Sequence, residues 1–179
     1  MAGDSERIEL SEGELREVAG YAADCARRVL GLFEVARPTD ARPREAIAAA
    51  DGFAGGGRRT AALRRHGWAA FKAAQETPAA HPAAADAARA ASHAAAAAFL
   101  HPLADAHQVK HVLGAAVHAA RAEELAPAGV RSAVGDTLGW AREHAPATVV
   151  AVLGRLPRAP AGGGRVGELL RALDTALRP

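Results

Sequence analysis

The residues best suited to chemistry in this chain of 179 residues are its histidines. Three of them, His107, His111 and His118, recur at steps of four and seven. A helix with ~3.6 residues per turn brings such positions onto one narrow stripe. An imidazole ordinarily titrates near pH ~6.5, so it can serve as a general acid or base. Two histidines one turn apart can also share a metal ion, but a zinc site takes three or four protein ligands. Here His118 lies two turns beyond His111, no cysteine accompanies them and no His-Glu-x-x-His order is present. The spacing therefore predicts no metal and no cofactor. It leaves three roles for the stripe: a cleft wall shared with His93 from the preceding helix, an acid/base site at His107 or His111, or plain polar surface. Val109, Val112, Leu113, Ala116 and Ala120 fall on the opposite side. They are the expected core contact, so the three imidazoles should point away from the core.

A second constellation is the charged turn with Glu34, Arg37, Asp40, Arg42, Arg44 and Glu45, punctuated by Pro38 and Pro43. Asp40 suits a turn acceptor for backbone N–H groups, and the arginines can pair with Glu34. The same guanidinium groups, near a helix start, could instead form an anion- or partner-binding lip. Both readings stay open. Other candidates are weaker. Gly55-Gly56-Gly57-Arg58-Arg59-Thr60 lacks the lysine, the spacing and the preceding strand of a phosphate loop. Asp86, Asp105 and Asp136 read as isolated carboxylates. Arg64-Arg65-His66, with Trp68 nearby, reads as a solvated helix face.

These side chains must be positioned by helices. Hydrophobic residues make up 50% of the chain but aromatics only 4%, so most of the apolar content is alanine, the best helix former. The few large residues, among them Leu15, Val29, Leu32, Phe33, Phe53, Trp68, Phe71, Leu113 and Trp140, must then carry much of the burial. Ser11 and Glu14 make a capping box. The stripe Leu15, Val18, Ala22, Cys25, Val29, Leu32, Phe33, Ala36 predicts one helix over residues 12–36. Prolines 43, 82, 102 and 146 mark further starts, placing helices near 43–53, 60–76, 82–100, 103–125, 130–144 and 146–156. An amphipathic segment at 166–177 should dock on the body. The fold class expected is all-α: a single-domain, multi-helix bundle of about seven or eight short Ala-rich helices. Residues 1–10 are expected to be disordered, 11–156 to form the helical domain, 157–164 a linker and 165–179 a docking helix.

Composition excludes several functions. The formal net charge is +2, and no run of like charge would steer nucleic acid. The single Cys25 lies on an apolar stripe and suits a reducing compartment. No stretch approaches ~20 strongly apolar residues, so no membrane span is expected. A cytoplasmic location follows as the expectation.

The segment Ala36-Arg37-Pro38-Thr39-Asp40-Ala41-Arg42-Pro43-Arg44-Glu45-Ala46-Ile47 resembles the signature of the immunity-protein-five-like family of bacterial immunity proteins. So do Ala106-His107-Gln108-Val109-Lys110-His111-Val112-Leu113-Gly114-Ala115-Ala116 and the following His118-Ala119-Ala120-Arg121-Ala122. The family carries a tyrosine or similar residue about where His118 stands. The resemblance covers roughly Leu15 to Glu123 and implies a small helical domain of actinobacterial type that neutralises a cognate toxin. It singles out Asp40, Arg42, Arg44, His107 and His111 for test, but no reaction. The expected function is thus non-catalytic sequestration of a toxin protein or small toxic molecule in a His/Arg-lined groove, with a homodimer left open. The alternative is a small enzyme of specialised metabolism using His107 or His111. A purely structural or dimerising helical module is the third reading.

Overall fold

A computed structural model describes residues 6–179 of the chain. Ten α-helices lie among these residues: α1 (Glu12–Arg27), α2 (Leu30–Ala36), α3 (Arg42–Ala54), α4 (Ala61–Glu76), α5 (Pro82–Ala97), α6 (Val109–Leu125), α7 (Ala128–Val134), α8 (Thr137–Glu143), α9 (Ala147–Gly154) and α10 (Gly164–Leu177). A 3₁₀ turn, Ala106–Gln108, precedes α6. No strand occurs among the described residues; there is only an isolated antiparallel bridge between Arg7 and Leu103. The all-α class therefore holds, with ten helices in place of seven or eight.

Both extra helices come from breaks within expected ones. The helix expected over 12–36 interrupts at Val29, whose backbone leaves the helical region at φ −116°, ψ 1°. Val29 and Phe33 stay buried on both sides of the break, so the apolar stripe runs through it and gives no signal. The break turns Arg28 sideways: its guanidinium donates to the Val134 carbonyl at 2.9 Å and lies 4.8 Å over the Trp140 ring. The second break was legible. Gly135 takes φ +82°, and Asp136 caps α8 by accepting from the Gly139 N–H at 2.8 Å. A glycine stop followed by an aspartate cap ends one helix and starts the next.

The expected capping box is present: Glu14 N–H donates to Ser11 Oγ at 3.2 Å, and Ser11 N–H to Glu14 Oε2 at 2.8 Å. Of the segment expected to lack order, residues 1–5 lie outside the described residues. From Glu6 onward the backbone is held: Ile8 N–H donates to the Pro102 carbonyl and Ala104 N–H to that of Glu6, at 3.1 and 2.7 Å.

Helix α5 is the axis of the bundle, packed by α1, α2, α3, α4 and α6. Nine of its alanines are buried, at 84, 85, 87, 88, 90, 91, 94, 95 and 97. Alanine on nearly every face lets neighbouring helices approach from all sides, towards the ~8 Å limit of helix packing. The bulk is supplied from the perimeter by Phe33, Leu113, Leu153 and Leu173, all fully buried. Trp68 departs from its expected core role: it is 62% exposed. α10 packs on α6 and α8 through Leu169, Leu170, Leu173 and Leu177. The segment before it is tied down as well. Arg171 donates to the carbonyls of Pro160 and Gly162, and buried Asp174 accepts from Ala159 N–H at 2.9 Å.

Candidate functional site

The expected histidine stripe is not carried by one helix. It required one helix from 103 onward, but α6 starts only at Val109. Leu103 is held by its bridge to Arg7, and Asp105 caps the 3₁₀ turn by accepting the His107 N–H at 2.7 Å. His107 therefore sits on that turn, exposed, and lines one cavity together with His118 while His111 lines another. The second assumption, that α6 is buried on one side alone, also fails. α5, α1, α10 and α8 surround α6, and its residues 112–117 are all buried. His111 and His118 consequently point into helix–helix seams, not away from the core.

His118 meets α5. Its Nδ1 lies 2.8 Å from Oδ1 of Asp86, a carboxylate that the sequence reading left isolated. A carboxylate only accepts, so Nδ1 carries a proton and donates to Asp86. The His118 ring stacks on His93, with centroids 5.0 Å apart. His93 Nδ1 has no hydrogen-bond partner, and neither does His111 Nδ1. Burial, followed by the charges of His118, His111 and Lys110, pushes His93 down to about 3 from its ordinary 6.5. His111 is also held below its ordinary value, chiefly by burial and then by His101 and Lys110.

His93 thus stands between two cavities, each of about 400 Å³. One lies between α6 and the start of α10 and is lined by His107, Lys110, His118 and the Ala161–Gly163 backbone. The other lies between α4 and α5 and is lined by Arg64, Trp68, Phe71, Phe99, His101 and His111. His93, His107 and His111 therefore do not share one cleft. A larger cavity of about 830 Å³ lies away from these histidines, on an apolar groove of α2, α5 and α7.

The α4–α5 cleft was missed because Arg64-Arg65-His66 resembles any solvated helix face. The signal that could have found it is helical spacing: Arg64, Gly67, Trp68 and Phe71 share one side of α4. Trp68 packs edge-on to Phe71, with centroids 5.8 Å apart, and Arg64 lies 4.4 Å over the Phe99 ring. Gly67 lets α4 sit close to α5; a Cβ there would touch Ala95 Cβ at 3.4 Å.

The charged turn is a separate place. Asp40, Arg42 and Arg44 line neither histidine cavity. Asp40 accepts from Arg42 three times, at the backbone N–H (3.2 Å), Nε (2.8 Å) and Nη2 (2.6 Å). Those bonds hold its carboxyl below the usual range. Arg42 also bonds Glu76 on α4 at 2.6 Å, and Arg44 bonds Glu34 at 2.7 Å. The guanidinium groups of this turn are thus engaged by carboxylates that fasten α2, α3 and α4 together. Asp40→Ala should cost about 0.5–2 kcal/mol, the range for a lost helix-start acceptor. A urea midpoint unchanged by the substitution would rule out this anchoring role.

Among the described residues, no three His, Cys, Asp or Glu side chains are placed to share a metal ion. No helix among the described residues is long and apolar enough to cross a membrane. Burial pushes the Cys25 thiol up to about 12, which removes its nucleophilic character at neutral pH. The family described as "Imm-5 like putative immunity protein" matches residues 9–148. No curated protein and no solved structure matches the chain significantly.

Proposed function

Because the chain belongs to the Imm-5 like immunity protein family, we propose that it neutralises a toxin by binding it, with the α4–α5 cleft as the contact. The observation that carries this reading is the exposed Trp68 at the rim of a concave site walled by Phe71, Phe99 and Arg64. Large aromatic and arginine side chains dominate the energetics of protein interfaces. An exposed tryptophan beside a preformed apolar hollow is also costly to leave in water unless something covers it. Sequestration needs no catalytic group, only a surface that is ready before the partner arrives.

The test is titration against a toxin encoded beside the gene. Toxin activity should fall to zero at one equivalent of this protein, with a complex recovered by size exclusion. Full inactivation at about a tenth of an equivalent would mean turnover, and the enzyme alternative at His107 or His111 would replace binding. Trp68→Ala should weaken neutralisation by about tenfold, a loss of ~1.4 kcal/mol. Arg142→Ala, on α8, should leave it unchanged. Equal loss from both variants would move the contact away from the cleft.

A further inference from the structure

The arginines around this cleft differ from most of those elsewhere in the molecule. Arg27, Arg37, Arg42, Arg44, Arg155 and Arg165 each face a carboxylate within ion-pair distance. Among the described residues, Arg58, Arg59, Arg64 and Arg65 have no such partner, although they follow one another closely in the α3–α4 connection and the first turns of α4. A second hollow, lined by Arg59, Arg64, Phe99 and His101, adjoins the cleft and shares Arg64, Phe99 and His101 with it. No Asp or Glu lines either hollow.

From this charge pattern we infer that the α4–α5 cleft takes an apolar anchor set in a carboxylate-rich segment of a partner protein. The inference rests on the cleft being the toxin contact and specifies the chemistry of what it meets. Guanidinium groups bind carboxylates through two parallel hydrogen bonds, so unpaired arginines in a row match acidic side chains in a row. The hollow of about 400 Å³ accepts one aromatic or aliphatic side chain, with Trp68 at its rim. Arg59 and Arg64 spread this charge over two adjoining hollows, which suits an extended segment over a compact small molecule.

Basic residues interleaved with aromatics also describe single-strand nucleic-acid binders, which need open ring faces for base stacking. The rings here are occupied. Arg64 and Arg59 lie over Phe99 at 4.4 and 5.8 Å, and Phe71 meets the edge or face of Trp68. Only Trp68 retains an open face. A protein partner is therefore the better match.

The probe is a synthetic peptide of roughly eight Asp and Glu residues with one central Phe, long enough to extend along the arginine row. Its counterpart carries Asn and Gln at the acidic positions, and a thymidine oligonucleotide of similar length is the third ligand. Tryptophan fluorescence and calorimetry read binding to the full chain. The acidic peptide should bind at least about tenfold tighter than its amide counterpart, and that preference should fade between about 50 and 500 mM salt. Arg59→Ala with Arg64→Ala should abolish the preference, while Trp68→Ala should weaken both peptides. Circular dichroism checks that these variants of surface residues stay folded. Equal binding of the two peptides, or no binding, overturns the inference, as does tighter binding of the oligonucleotide. No toxin enters these measurements, so their failure is separable from failed neutralisation.

Discussion

Acid should destabilise this protein well before its carboxylates protonate. His93 has a folded-state value of about 3 against an ordinary 6.5, so protonation favours the unfolded chain. The stability it contributes is complete above pH ~6.5 and is lost as pH falls from there towards 3. At pH 4.5, about two units below the unfolded value, the loss should be about 2.7 kcal/mol. His111, also depressed by burial, adds in the same direction. Part of the His93 depression comes from the neighbouring His118, His111 and Lys110, after burial itself. Glu14, Asp40, Glu76 and Glu124 are held below their usual ranges by arginine partners. Their contribution is complete above the ordinary carboxylate range near pH ~4 and is lost from there down through the lowered values, beneath most of the histidine window. Urea midpoints at pH 7.5 and 4.5 read the difference. His93→Gln, which cannot titrate, should shrink the pH difference by more than half, whatever it does to stability at pH 7.5. An undiminished slope in that variant would assign the acid sensitivity to other groups.

The second large effect is expected at Gly114. A Cβ built there would lie 2.4 Å from His93 Nδ1, 2.8 Å from its Cγ and 2.9 Å from its Cε1. Moving the ring clear would break its stack on His118 and displace its buried Nδ1. Gly114→Val should therefore cost about 3 kcal/mol, the upper end for overpacking a core, despite the helix propensity gained. The cause is separable from general crowding by a double-mutant cycle. With His93→Ala in the background, the valine should cost at least ~1 kcal/mol less. Additive losses would mean that the imidazole is not what the new side chain strikes.

Much of the architecture was readable from the chain. Ser11 and Glu14 started α1, Pro43, Pro82 and Pro146 marked α3, α5 and α9, and the leucines of 166–177 announced α10. What failed was phase and surroundings. A stripe argument assumes one helix with one buried face. Leu103 and Asp105 denied the first by holding the chain off helix until the 3₁₀ turn, so His107 lies outside α6. Alanine denied the second: residues that small permit burial on every side, and α6 is walled by four helices. Asp86 shows the same blindness from the other direction. Nothing local marks it, and its partner His118 is 32 positions away. The family resemblance carried further than periodicity here. It reached the helical class and the immunity assignment, although the arginines it singled out are spent on holding α2, α3 and α4.

The alanine axis also sets how this protein tolerates change and how it opens. At the perimeter, where Phe33 or Leu113 fill space, truncation leaves a void and costs about 2–5 kcal/mol. Along α5 the hazard is inverted: nearly every position is already as small as it can usefully be, so enlargement is the damaging direction. A saturation scan should separate the two by sign of volume change, with α5 rejecting larger residues and the outer helices rejecting smaller ones. Helix α5 also cannot loosen without parting from five neighbours at once. Its amides should be the slowest in the molecule to exchange with deuterium, through global unfolding alone. Those of α7, which has no buried residue, should exchange through local opening.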